Sequence, residues 1–466
     1  MPVIVIVADG ARPDTLEDAM HRGVVPALSS LREEGGLHTI TSVFPSVTGP
    51  AYAPFVMGRY PGPVGLPGLR WYDRERRTCR LPGNSRSYVG FEMRHVDGDL
   101  DPGAPTIFEL AGSSIAALNV IGRGLSPRDL IGRKFGFIAR TARTHFTGRV
   151  QGWLEIDREI SGEVVERIRA DRPDFVFAAL TGIDKTSHSE GHASAYAEQA
   201  YQIVDDTVSK IRRDAERSGT WSSTHIWVVS DHGHSPVREH DDIVGLIRRL
   251  GFRAIAHPFV YSSRGDVAVM VSGNAMAHIY LDLARRTRPW LGDLGGKWQR
   301  VRDALLARDS VDLMMLPAAV GRCEVHAKDR GFAVLEWTRS RISYLPATGD
   351  PLGIGAHHDL DDDAAYDVTL SSDYPDALIQ IARLSDSPRS GEIILSAARD
   401  WDFRAKYEPI PHTSSHGALH REHMLVPLLT NRPVARRPRR TVDVMPSALS
   451  ALGIPIPSGL DGKSFL

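Results

Sequence analysis

The sequence predicts an α/β protein built around a mostly parallel sheet. Three short apolar runs, rich in β-branched and aromatic residues, each end at acidic or polar residues: VIVIVADG (3–10), DFVFAALTGID (174–184) and THIWVVSDHGH (224–234). Runs of this kind, apolar on both faces, are typical of central parallel strands. Stretches with helical periodicity separate them, and this alternation indicates helices packed against both faces of one sheet.

The clearest predicted helix runs from residue 195 to 219, between the second and third apolar runs. Its core-facing residues recur at helical spacing: Ala200, Ile203, Val204, Thr207, Val208 and Ile211. Basic residues near its end and Gly219 after it indicate where it stops. A shorter helix is predicted in PAYAPFVMG, where Pro50 suits the first helical position.

The region from about residue 251 to 389 has a different pattern and predicts a smaller inserted α+β cap domain. It contains VAVMVSGNAMAHIYLDL (267–283), then two helical segments and the Gly/Asp-rich stretch GDPLGIGAHHDLDDD. We therefore expect residues 1–250 to form the first part of a catalytic core, 251–389 the cap, and 390–466 the last part of the core.

The composition argues against several classes of protein. With 56 Lys+Arg and 57 Asp+Glu, the net charge of −1 gives no general attraction to a nucleic-acid polymer or an anionic membrane. No apolar run approaches the length of a membrane span, and no signal-peptide pattern opens the chain. Cys79 and Cys323 lie far apart and are expected to be free thiols. These features predict a cytoplasmic protein and leave its oligomeric state open.

Acidic residues and histidines follow the predicted strands. Asp9 follows the first, Asp184 and His188 follow the second, and Asp231 with His232 follow the third. Ligands of open α/β sheets bind beyond the carboxyl ends of the strands, so the three carboxylates would gather at one edge. Their mutual repulsion calls for a cation. Mixed Asp and His ligands favour Zn²⁺ or Mn²⁺ over Ca²⁺ or Mg²⁺.

Each of these signals has a simpler interpretation when taken alone. A single Asp after a strand is often only a helix N-cap, which is the better explanation of Asp9 by itself. SDHG (230–233) is more specific, because adjacent Asp and His after a buried strand serve little packing purpose. The ordered combination, completed by His416 in SSHG, favours a metal centre. His234, which follows DHG, either supports a metal ligand from behind or lies at the surface, and the surface is favoured.

On these motifs the chain resembles the alkaline phosphatase superfamily, specifically the type I phosphodiesterase/nucleotide pyrophosphatase branch, which includes phosphonoacetate hydrolase. The matching motifs are ADGARPD (8–14), TGPAYAPFVMGRYP (48–61), GIDKTSHSEGH (182–192), SDHGHS (230–235) and SSHG (414–417). The resemblance spans nearly the whole chain and is weakest in the insert. It implies an alkaline-phosphatase-like α/β/α sandwich.

The resemblance also implies two divalent metal ions, usually zinc, with Mn²⁺ as the alternative. One ion would be held by Asp184, His188 and His416, and the other by Asp9, Asp231, His232 and the oxygen of the nucleophile. Two ions about 4 Å apart hold both the attacking and the leaving oxygen of an in-line displacement. Coordination also lowers the pKa of a hydroxyl, so no histidine base is needed.

The expected nucleophile lies in FPSVTGPAY. Family members place a proline two residues and a glycine ten residues after the nucleophile, and Thr48 matches both through Pro50 and Gly58. The other register, anchored on the Phe-Pro pair, would put Val43 at the nucleophile, where there is no hydroxyl. The resemblance therefore selects Thr48, and the Gly49 N–H is expected to donate to a phosphate oxygen.

One position departs from the family pattern. Nucleotide pyrophosphatases and phosphonoacetate hydrolase carry an Asn twenty-one residues after the nucleophile that contacts the phosphate, whereas this chain has Leu69 there. Arg70, the next residue, would supply a charged donor suited to a monoester. Alternatively, Arg70 points to solvent and the site is simply less polar. The sequence favours neither interpretation.

These features predict a two-metal phosphoester hydrolase of the phosphodiesterase/pyrophosphatase type that acts on small molecules through a covalent phospho-threonine. A phosphate monoesterase or phosphonate hydrolase of the same superfamily is the first alternative. A phosphotransferase like the cofactor-independent phosphoglycerate mutases is disfavoured, because their insert follows the nucleophile closely. An inactive metal-binding regulatory protein is least favoured, since every ligand and the hydroxyl are present.

Overall fold

The computed structural model describes residues 2–75, 83–260, 262, 264–404, 406–407, 410 and 412–466. Cys79 lies outside the described residues, and Cys323 is a buried free cysteine. Within the described ranges, no helix is both long and apolar enough to cross a lipid bilayer.

The strands, in chain order, are β1 (Val3–Ala8), β2 (Gly36–Thr41), β3 (Arg70–Tyr72), β4 (Ser85–Ser87), β5 (Ser114–Ala117), β6 (Leu130–Ile131), β7 (Phe175–Leu180), β8 (His225–Val229), β9 (Ser235–His240), β10 (Ala254–Ala256), β11 (Val267–Ser272), β12 (Met276–Leu281), β13 (Val311–Ala319), β14 (Arg322–Ala327), β15 (Gly331–Trp337), β16 (Ile342–Gly349), β17 (His357–Leu360), β18 (Ile393–Ala397), β19 (Asp400–Asp402), β20 (Ser414–Ser415) and β21 (Leu425–Thr430). 

The α-helices are α1 (Pro13–His21), α2 (Pro26–Glu34), α3 (Ala53–Met57), α4 (Ile107–Leu110), α5 (Phe135–Thr147), α6 (Val150–Asp171), α7 (Gly182–Glu190), α8 (Ala195–Arg217), α9 (Ile243–Arg249), α10 (Gly296–Leu306), α11 (Asp362–Leu370), α12 (Ala377–Ser385), α13 (Arg421–Met424) and α14 (Val444–Leu452). Short 3₁₀ segments lie at Pro50–Tyr52, Gly90–Gly98, Pro127–Asp129, Trp221–Ser223, Leu291–Asp293 and Thr441–Asp443.

The three strands predicted from the apolar runs lie side by side in a seven-stranded sheet of order β2-β21-β8-β1-β7-β5-β6. Strands β1, β5, β6, β7 and β8 are parallel, and β21 pairs antiparallel with both β8 and β2. Ala8 lies beside Leu180 of β7, and Val7 beside Val229 of β8. The carboxyl ends of the three strands therefore meet at one edge, as predicted.

Helices cover both faces of this sheet, which confirms the α/β/α sandwich. Alternate residues of β1 pack on opposite sides because side chains alternate along a strand. Val5 and Val7 belong to the core under α3 and α14, whereas Ile4 and Ile6 belong to the core under α1, α2, α6 and α8. The predicted helix at 195–219 is α8, and the predicted short helix is a 3₁₀ turn that continues into α3.

The second half of the chain forms a nine-stranded sheet of order β10-β11-β12-β18-β13-β14-β15-β16-β17, in which only β10 and β11 pair in parallel. Helices α9 and α10 pack in one core beside it, and α11 and α12 in another. The predicted end of the insert, residue 389, comes before the last strand of this sheet. Strand β18 lies beyond that boundary and pairs with both β12 and β13, so the sheet includes residues up to Ala397. The division into domains otherwise stays a prediction.

A small three-stranded sheet brings the C-terminal motif to the edge of the main sheet. Its order is β19-β9-β20. Ser415 of β20 lies opposite Ser235 of β9, and Ser414 lies opposite Pro236. This pairing places SSHG beside SDHGHS, although the two motifs are separated by most of the inserted sheet in the sequence.

Candidate active site

The three strand-end carboxylates are fully buried at the edge of the main sheet. Asp9 directly follows β1, Asp231 lies just beyond β8, and Asp184 lies in the first turn of α7. Buried carboxylates in one place are costly unless a cation or hydrogen-bond donors compensate them. The described residues include two buried groups whose ligand atoms lie within 4.8 Å of one another, as a metal ion requires.

The first group, Asp9, Asp231 and His232, lies against the predicted nucleophile, and we call these three residues with Thr48 the Thr48 cluster. The Thr48 Oγ1 atom lies 3.1 Å from Asp9 Oδ1 and 3.0 Å from His232 Nε2. Asp231 Oδ1 accepts a hydrogen bond from the Gly10 N–H at 3.3 Å. Asp231 Oδ2 is buried and accepts no hydrogen bond from a described residue. This cluster thus presents a hydroxyl and an unsatisfied carboxylate oxygen together.

Ser46, the other hydroxyl of FPSVTGPAY, is not part of this cluster. Its side chain is buried and donates a hydrogen bond to the Ala418 carbonyl oxygen at 2.9 Å. The hydroxyl therefore stabilises the segment at SSHG, and its proton is engaged in that hydrogen bond. Of the two hydroxyls, only that of Thr48 lies in the cluster, and its role as the nucleophile stays a prediction.

The second group, the Asp184 cluster, comprises Asp184, His232, His234 and His416. The Asp184 Oδ1 atom lies 3.4 Å from His416 Nε2 and 2.9 Å from His234 Nε2. His188 adjoins the cluster, with its Nε2 atom 3.2 Å from the same oxygen. The structure therefore brings all six predicted ligands into one buried site.

Backbone carbonyls orient all three predicted histidine ligands. Nδ1 of His188 lies 2.9 Å from the carbonyl oxygen of Ser414. Nδ1 of His416 lies 3.0 Å from that of Ser46, and Nδ1 of His232 lies 3.2 Å from that of Gly233. A carbonyl oxygen only accepts, so each Nδ1 carries the proton and each Nε2 keeps a lone pair. Metal-ligating histidines typically have this arrangement.

His234 belongs to the site, so the prediction that it lies at the surface is wrong. It is fully buried, with Nε2 against Asp184 and Nδ1 3.1 Å from Ser414 Oγ. The cause is the pairing of β9 with β20, which covers the segment after DHG. The spacing of two residues between His232 and His234 was a usable signal, because residues two apart in extended backbone point to the same side.

Burial and crowding dominate the electrostatics of the site. Burial, followed by the neighbouring Asp184, raises the pKa of Asp9 to about 7. Burial, Asp9 and Asp184 together raise the pKa of Asp231 well above its usual range. Burial lowers the pKa of His232 to about 3 and that of His234 to about 4. The rings are therefore neutral near pH 7, and the carboxylates are poised to lose protons when a cation enters.

Lys185 supplies the positive charge nearest to Asp184 among the ion pairs of the described residues. Its Nζ atom lies 2.7 Å from Asp184 Oδ2. Burial alone would raise the pKa of Asp184, but the Lys185 ammonium holds it well below its usual range. Asp184 is thus ionised and ready to bind a cation, whereas Asp9 and Asp231 keep their protons to higher pH.

Asp157, which the sequence did not indicate, anchors the segment that carries Asp184. It lies on α6, and its carboxylate accepts hydrogen bonds from the N–H groups of Thr181 at 3.0 Å and Gly182 at 2.7 Å. A Cβ atom at Gly182 would lie 2.6 Å from Asp157 Oδ2, so glycine is needed for this approach. The start of α7 is therefore fixed from a neighbouring helix.

Tyr52 is a second residue that the sequence did not indicate. Its hydroxyl donates a hydrogen bond to Asp9 Oδ2 at 2.6 Å, and its ring packs edge-on against Phe177. Burial and the nearby Asp9 raise the pKa of this phenol well above its usual range, so it stays protonated as a donor. Tyr52 thus fixes the orientation of the carboxylate beside Thr48.

Replacing Tyr52 with Phe should therefore weaken cation binding about tenfold to a hundredfold, since partners that orient a ligand carry effects of this size. Titration of the metal-free protein with Zn²⁺ would measure it. Tyr60→Phe is the matched control, because Tyr60 is equally buried but its hydroxyl has no described hydrogen-bond partner. Equal zinc affinity in the two variants would contradict a positioning role for Tyr52.

Of the predicted substrate-binding residues, Gly49 directly follows Thr48, whereas Leu69 and Arg70 lie before and at the start of β3. Gly49 has a φ of 103°, and a Cβ atom there would lie 2.6 Å from the ring of Tyr88, so only glycine fits. Leu69 is half-buried; its N–H donates to Ser272 Oγ at 2.9 Å, and its carbonyl accepts from the Tyr88 N–H. Arg70 begins β3 and lines a pocket with His257 and Arg404. Direct contact of these residues with a phosphate stays a prediction.

Solved structures of low sequence identity share this fold. Phosphonoacetate hydrolase from Sinorhizobium meliloti, solved with phosphonoformate, aligns with a TM-score of 0.59 at 17% identity, covering 97% of this chain and 96% of that chain. Murine ectonucleotide pyrophosphatase/phosphodiesterase 5 aligns with a TM-score of 0.58 at 15% identity, covering 98% and 96%. These likenesses establish the alkaline-phosphatase-like fold.

Sequence comparison establishes the family. An uncharacterised pyrophosphatase/phosphodiesterase of Schizosaccharomyces pombe is 24% identical over 267 residues, which is 55% of this chain and 49% of the relative. This chain therefore spans about half the length of that curated relative. The profile of the family described as type I phosphodiesterase / nucleotide pyrophosphatase matches residues 3–420, a range that includes Thr48 and every predicted ligand. The chain belongs to the type I phosphodiesterase/nucleotide pyrophosphatase family.

Proposed function

We propose that this protein is a two-cation phosphodiesterase or pyrophosphatase that hydrolyses small phosphoester substrates with Thr48 as its nucleophile. The observation that carries the proposal is the position of Thr48 Oγ1, 3.1 Å from Asp9 Oδ1 and 3.0 Å from His232 Nε2. A threonine hydroxyl is a weak nucleophile, and a cation bound to these two side chains would activate it. Membership of the family supports phosphoester hydrolysis.

A structural relative supports the choice of a threonine. The murine relative was also solved with AMP as an inactive variant in which a threonine is replaced by alanine. A hydroxyl placed between a carboxylate and a histidine, as Thr48 is here, is consistent with the same role.

The donor set fits divalent cations. Asp231 Oδ2 is buried without a hydrogen bond from a described residue, which is costly unless something binds it. The histidine Nε2 atoms have free lone pairs because their Nδ1 atoms face carbonyls. Mixed Asp and His donors favour zinc, with manganese as the alternative. The proposed ligands are Asp9, Asp231, His232 and Thr48 Oγ1 for one ion, and Asp184, His188 and His416 for the other.

Two ions in these positions would neutralise charge on the attacking and leaving oxygens. Thr48 loses its proton, for which Asp9 offers a carboxylate acceptor at 3.1 Å. The Thr48 oxygen then forms a bond to phosphorus, the bond to the leaving-group oxygen breaks, and that oxygen takes up a proton. Water next attacks the phospho-threonine, the phosphate product departs, and Thr48 regains a proton. The Gly49 N–H would donate to a phosphate oxygen throughout.

A panel of chromogenic esters tests this function. The protein, loaded separately with Zn²⁺ and Mn²⁺, should release para-nitrophenol from bis(para-nitrophenyl) phosphate faster than from the monoester or from an aryl phosphonate. The reason is that the apolar Leu69 replaces a polar phosphate contact and suits a less charged substrate. Faster release from the monoester or the phosphonate would support the corresponding alternative. Absence of release from every ester with either metal would refute the proposed function.

A further inference from the structure

The segment that carries Thr48 has little regular secondary structure of its own. Between the end of β2 at Thr41 and the 3₁₀ turn that begins at Pro50, residues 42–49, each of which the structure describes, form only one isolated bridge. Apart from Thr48, which is half-buried, these residues are buried. Buried backbone N–H and carbonyl groups are costly unless they find partners. The partners of this segment therefore also fix the position of the Thr48 hydroxyl.

Gln380, on α12, holds this segment through its backbone. The side-chain oxygen Oε1 accepts a hydrogen bond from the Phe44 N–H at 2.8 Å, and the amide nitrogen Nε2 donates to the Ser42 carbonyl oxygen at 3.1 Å. The side chain of Gln380 is buried. An amide offers an acceptor on one side and donors on the other, so the two backbone groups fix its orientation. One side chain thus supplies the pair of hydrogen bonds that a neighbouring strand would otherwise provide.

A buried ion pair keeps the Gln380 amide in this orientation. Its Nε2 atom also donates to Asp376 Oδ2 at 2.7 Å. The Asp376 carboxylate is held in turn by Arg440, whose Nε lies 2.8 Å from Oδ2 and whose Nη2 lies 2.7 Å from Oδ1. Both side chains are buried, and such paired hydrogen bonds restrict the geometry of the carboxylate. If the amide turned away, a buried donor of Gln380 and the buried N–H of Phe44 would both lose their partners.

The same segment is joined to the Thr48 cluster. The Ser42 hydroxyl donates a hydrogen bond to the backbone carbonyl oxygen of Asp231, a predicted cation ligand, while the Ser42 carbonyl accepts from Gln380. Thr48 follows Phe44 by only four residues. A shift of the backbone at Ser42 and Phe44 would therefore move the Thr48 hydroxyl relative to the carboxylate and the imidazole that it faces.

Helix α12 belongs to the region predicted as an insert, residues 251–389. Its residues Leu378 and Ile381 lie in one apolar core with Val43 and Phe44. The insert thus meets the Thr48 segment through apolar packing as well as through the Gln380 amide. Apolar burial has no preferred direction, whereas a hydrogen bond requires a particular distance and angle. The amide is therefore the part of this contact that sets the position of the backbone.

We propose that Gln380 is a positioning residue for the nucleophile, and that it holds the backbone at Ser42 and Phe44 so that the Thr48 hydroxyl faces the cation site. The predicted insert therefore contributes to the catalytic centre and does more than cover it. The inference rests on the proposed function, because it concerns the same nucleophile. Displacement of a reacting group by about 1 Å typically lowers the rate about a hundredfold.

Gln380→Met tests this inference, because it keeps the approximate volume and the helix propensity of the side chain but removes its hydrogen bonds. In the zinc-loaded protein, kcat for bis(para-nitrophenyl) phosphate and the rate at which the phosphate adduct forms should fall about tenfold to a hundredfold, with KM and zinc content little changed. Gln380→Glu should restore most of kcat, since a buried glutamic acid beside Asp376 takes up a proton and still accepts from the Phe44 N–H. A Glu variant as slow as the Met variant, or unaltered kcat in the Met variant, would overturn the inference.

Thr369→Val is the matched control for Gln380→Met. Thr369 is buried on α11; its hydroxyl accepts from the Asp376 N–H at 3.0 Å and donates to the Ala365 carbonyl oxygen at 2.9 Å, both within the insert. Its replacement should lower the free energy of unfolding as Gln380→Met does, and leave kcat near that of the unaltered protein. An equal loss of kcat in the control would show that Gln380 acts only through stability. If Gln380→Met does not fold, Gln380→Asn, whose amide is too short to reach both backbone groups, takes its place with the same expectation.

Hydrogen exchange separates this inference from the proposed function. In the zinc-loaded protein, the peptide containing residues 42–48 should exchange at least about tenfold faster in Gln380→Met than in Thr369→Val, because the Phe44 N–H has lost its acceptor. If this pattern holds but the unaltered protein hydrolyses no ester, the hold on the segment stands and the proposed reaction falls. If esters are hydrolysed and exchange of this peptide is the same in both variants, the reaction stands and the role of Gln380 falls.

Discussion

Replacing Thr48 with Ala is expected to lower kcat for phosphoester hydrolysis by at least about a thousandfold, because the attacking oxygen is lost. Asp9, Asp231 and His232 remain, so the bound zinc, measured by mass spectrometry of the metal, should stay near the level of the unaltered protein. Acid-quenched samples should show a phosphate adduct in the peptide that contains Thr48, and the variant should lack it. Near-normal turnover would show that another group is the nucleophile.

Ser46→Ala is the matched control for that experiment. Ser46 is buried in the same segment, and its hydroxyl donates to the Ala418 carbonyl rather than to the Thr48 cluster. Loss of that hydrogen bond should lower the free energy of unfolding by about 1 kcal/mol, while the phosphate adduct and most of the turnover remain. If Ser46→Ala abolished turnover and Thr48→Ala did not, the assignment of the two hydroxyls would be reversed.

Removal of the divalent cations is expected to lower the rate of hydrolysis about as much as Thr48→Ala does. Dialysis against a chelator should abolish hydrolysis, and Zn²⁺ or Mn²⁺ should restore it, because Thr48 has only a carboxylate and a neutral imidazole to activate it. Asp184→Asn should prevent restoration at the same metal concentration, since Asp184 lies within 3.4 Å of three histidine Nε2 atoms. Measured zinc stoichiometry should fall from two ions per chain toward one.

Asp205→Asn provides the comparison for Asp184→Asn. Asp205 is also a buried carboxylate, but it accepts a hydrogen bond from the Leu28 N–H at 2.8 Å, in the helical layer away from the site. Its replacement should affect the free energy of unfolding and leave zinc stoichiometry unchanged. Full activity in the chelated protein, or equal metal content in both variants, would rule out the proposed cation sites.

The strand ends were predictable because central parallel strands leave a strong local signal. Runs that are apolar on both faces stand out from the rest of the chain, and the first acidic residues after them must lie at the sheet edge. Asp9, Asp184 and Asp231 were located in this way. The family spacing to Pro50 and Gly58 then identified Thr48, and the structure places its hydroxyl in the cluster that the strand ends form.

The residues around that cluster were decided by tertiary structure. His234 is buried because β20, far away in sequence, pairs with β9 beside it. Tyr52 and Asp157 reach the site from helices whose local pattern only indicates packing. The second sheet also includes β18, a strand that follows the predicted insert in the sequence and pairs with β12 and β13.

The sequence alone thus determined the fold class and the edge of the sheet where the acidic and histidine side chains gather, and it indicated the predicted ligands and nucleophile. Only the tertiary structure decided which side chains orient those residues. The physical reason is that strand and helix periodicity is local in the sequence. The burial and partners of a polar side chain, in contrast, depend on which distant segment packs over it.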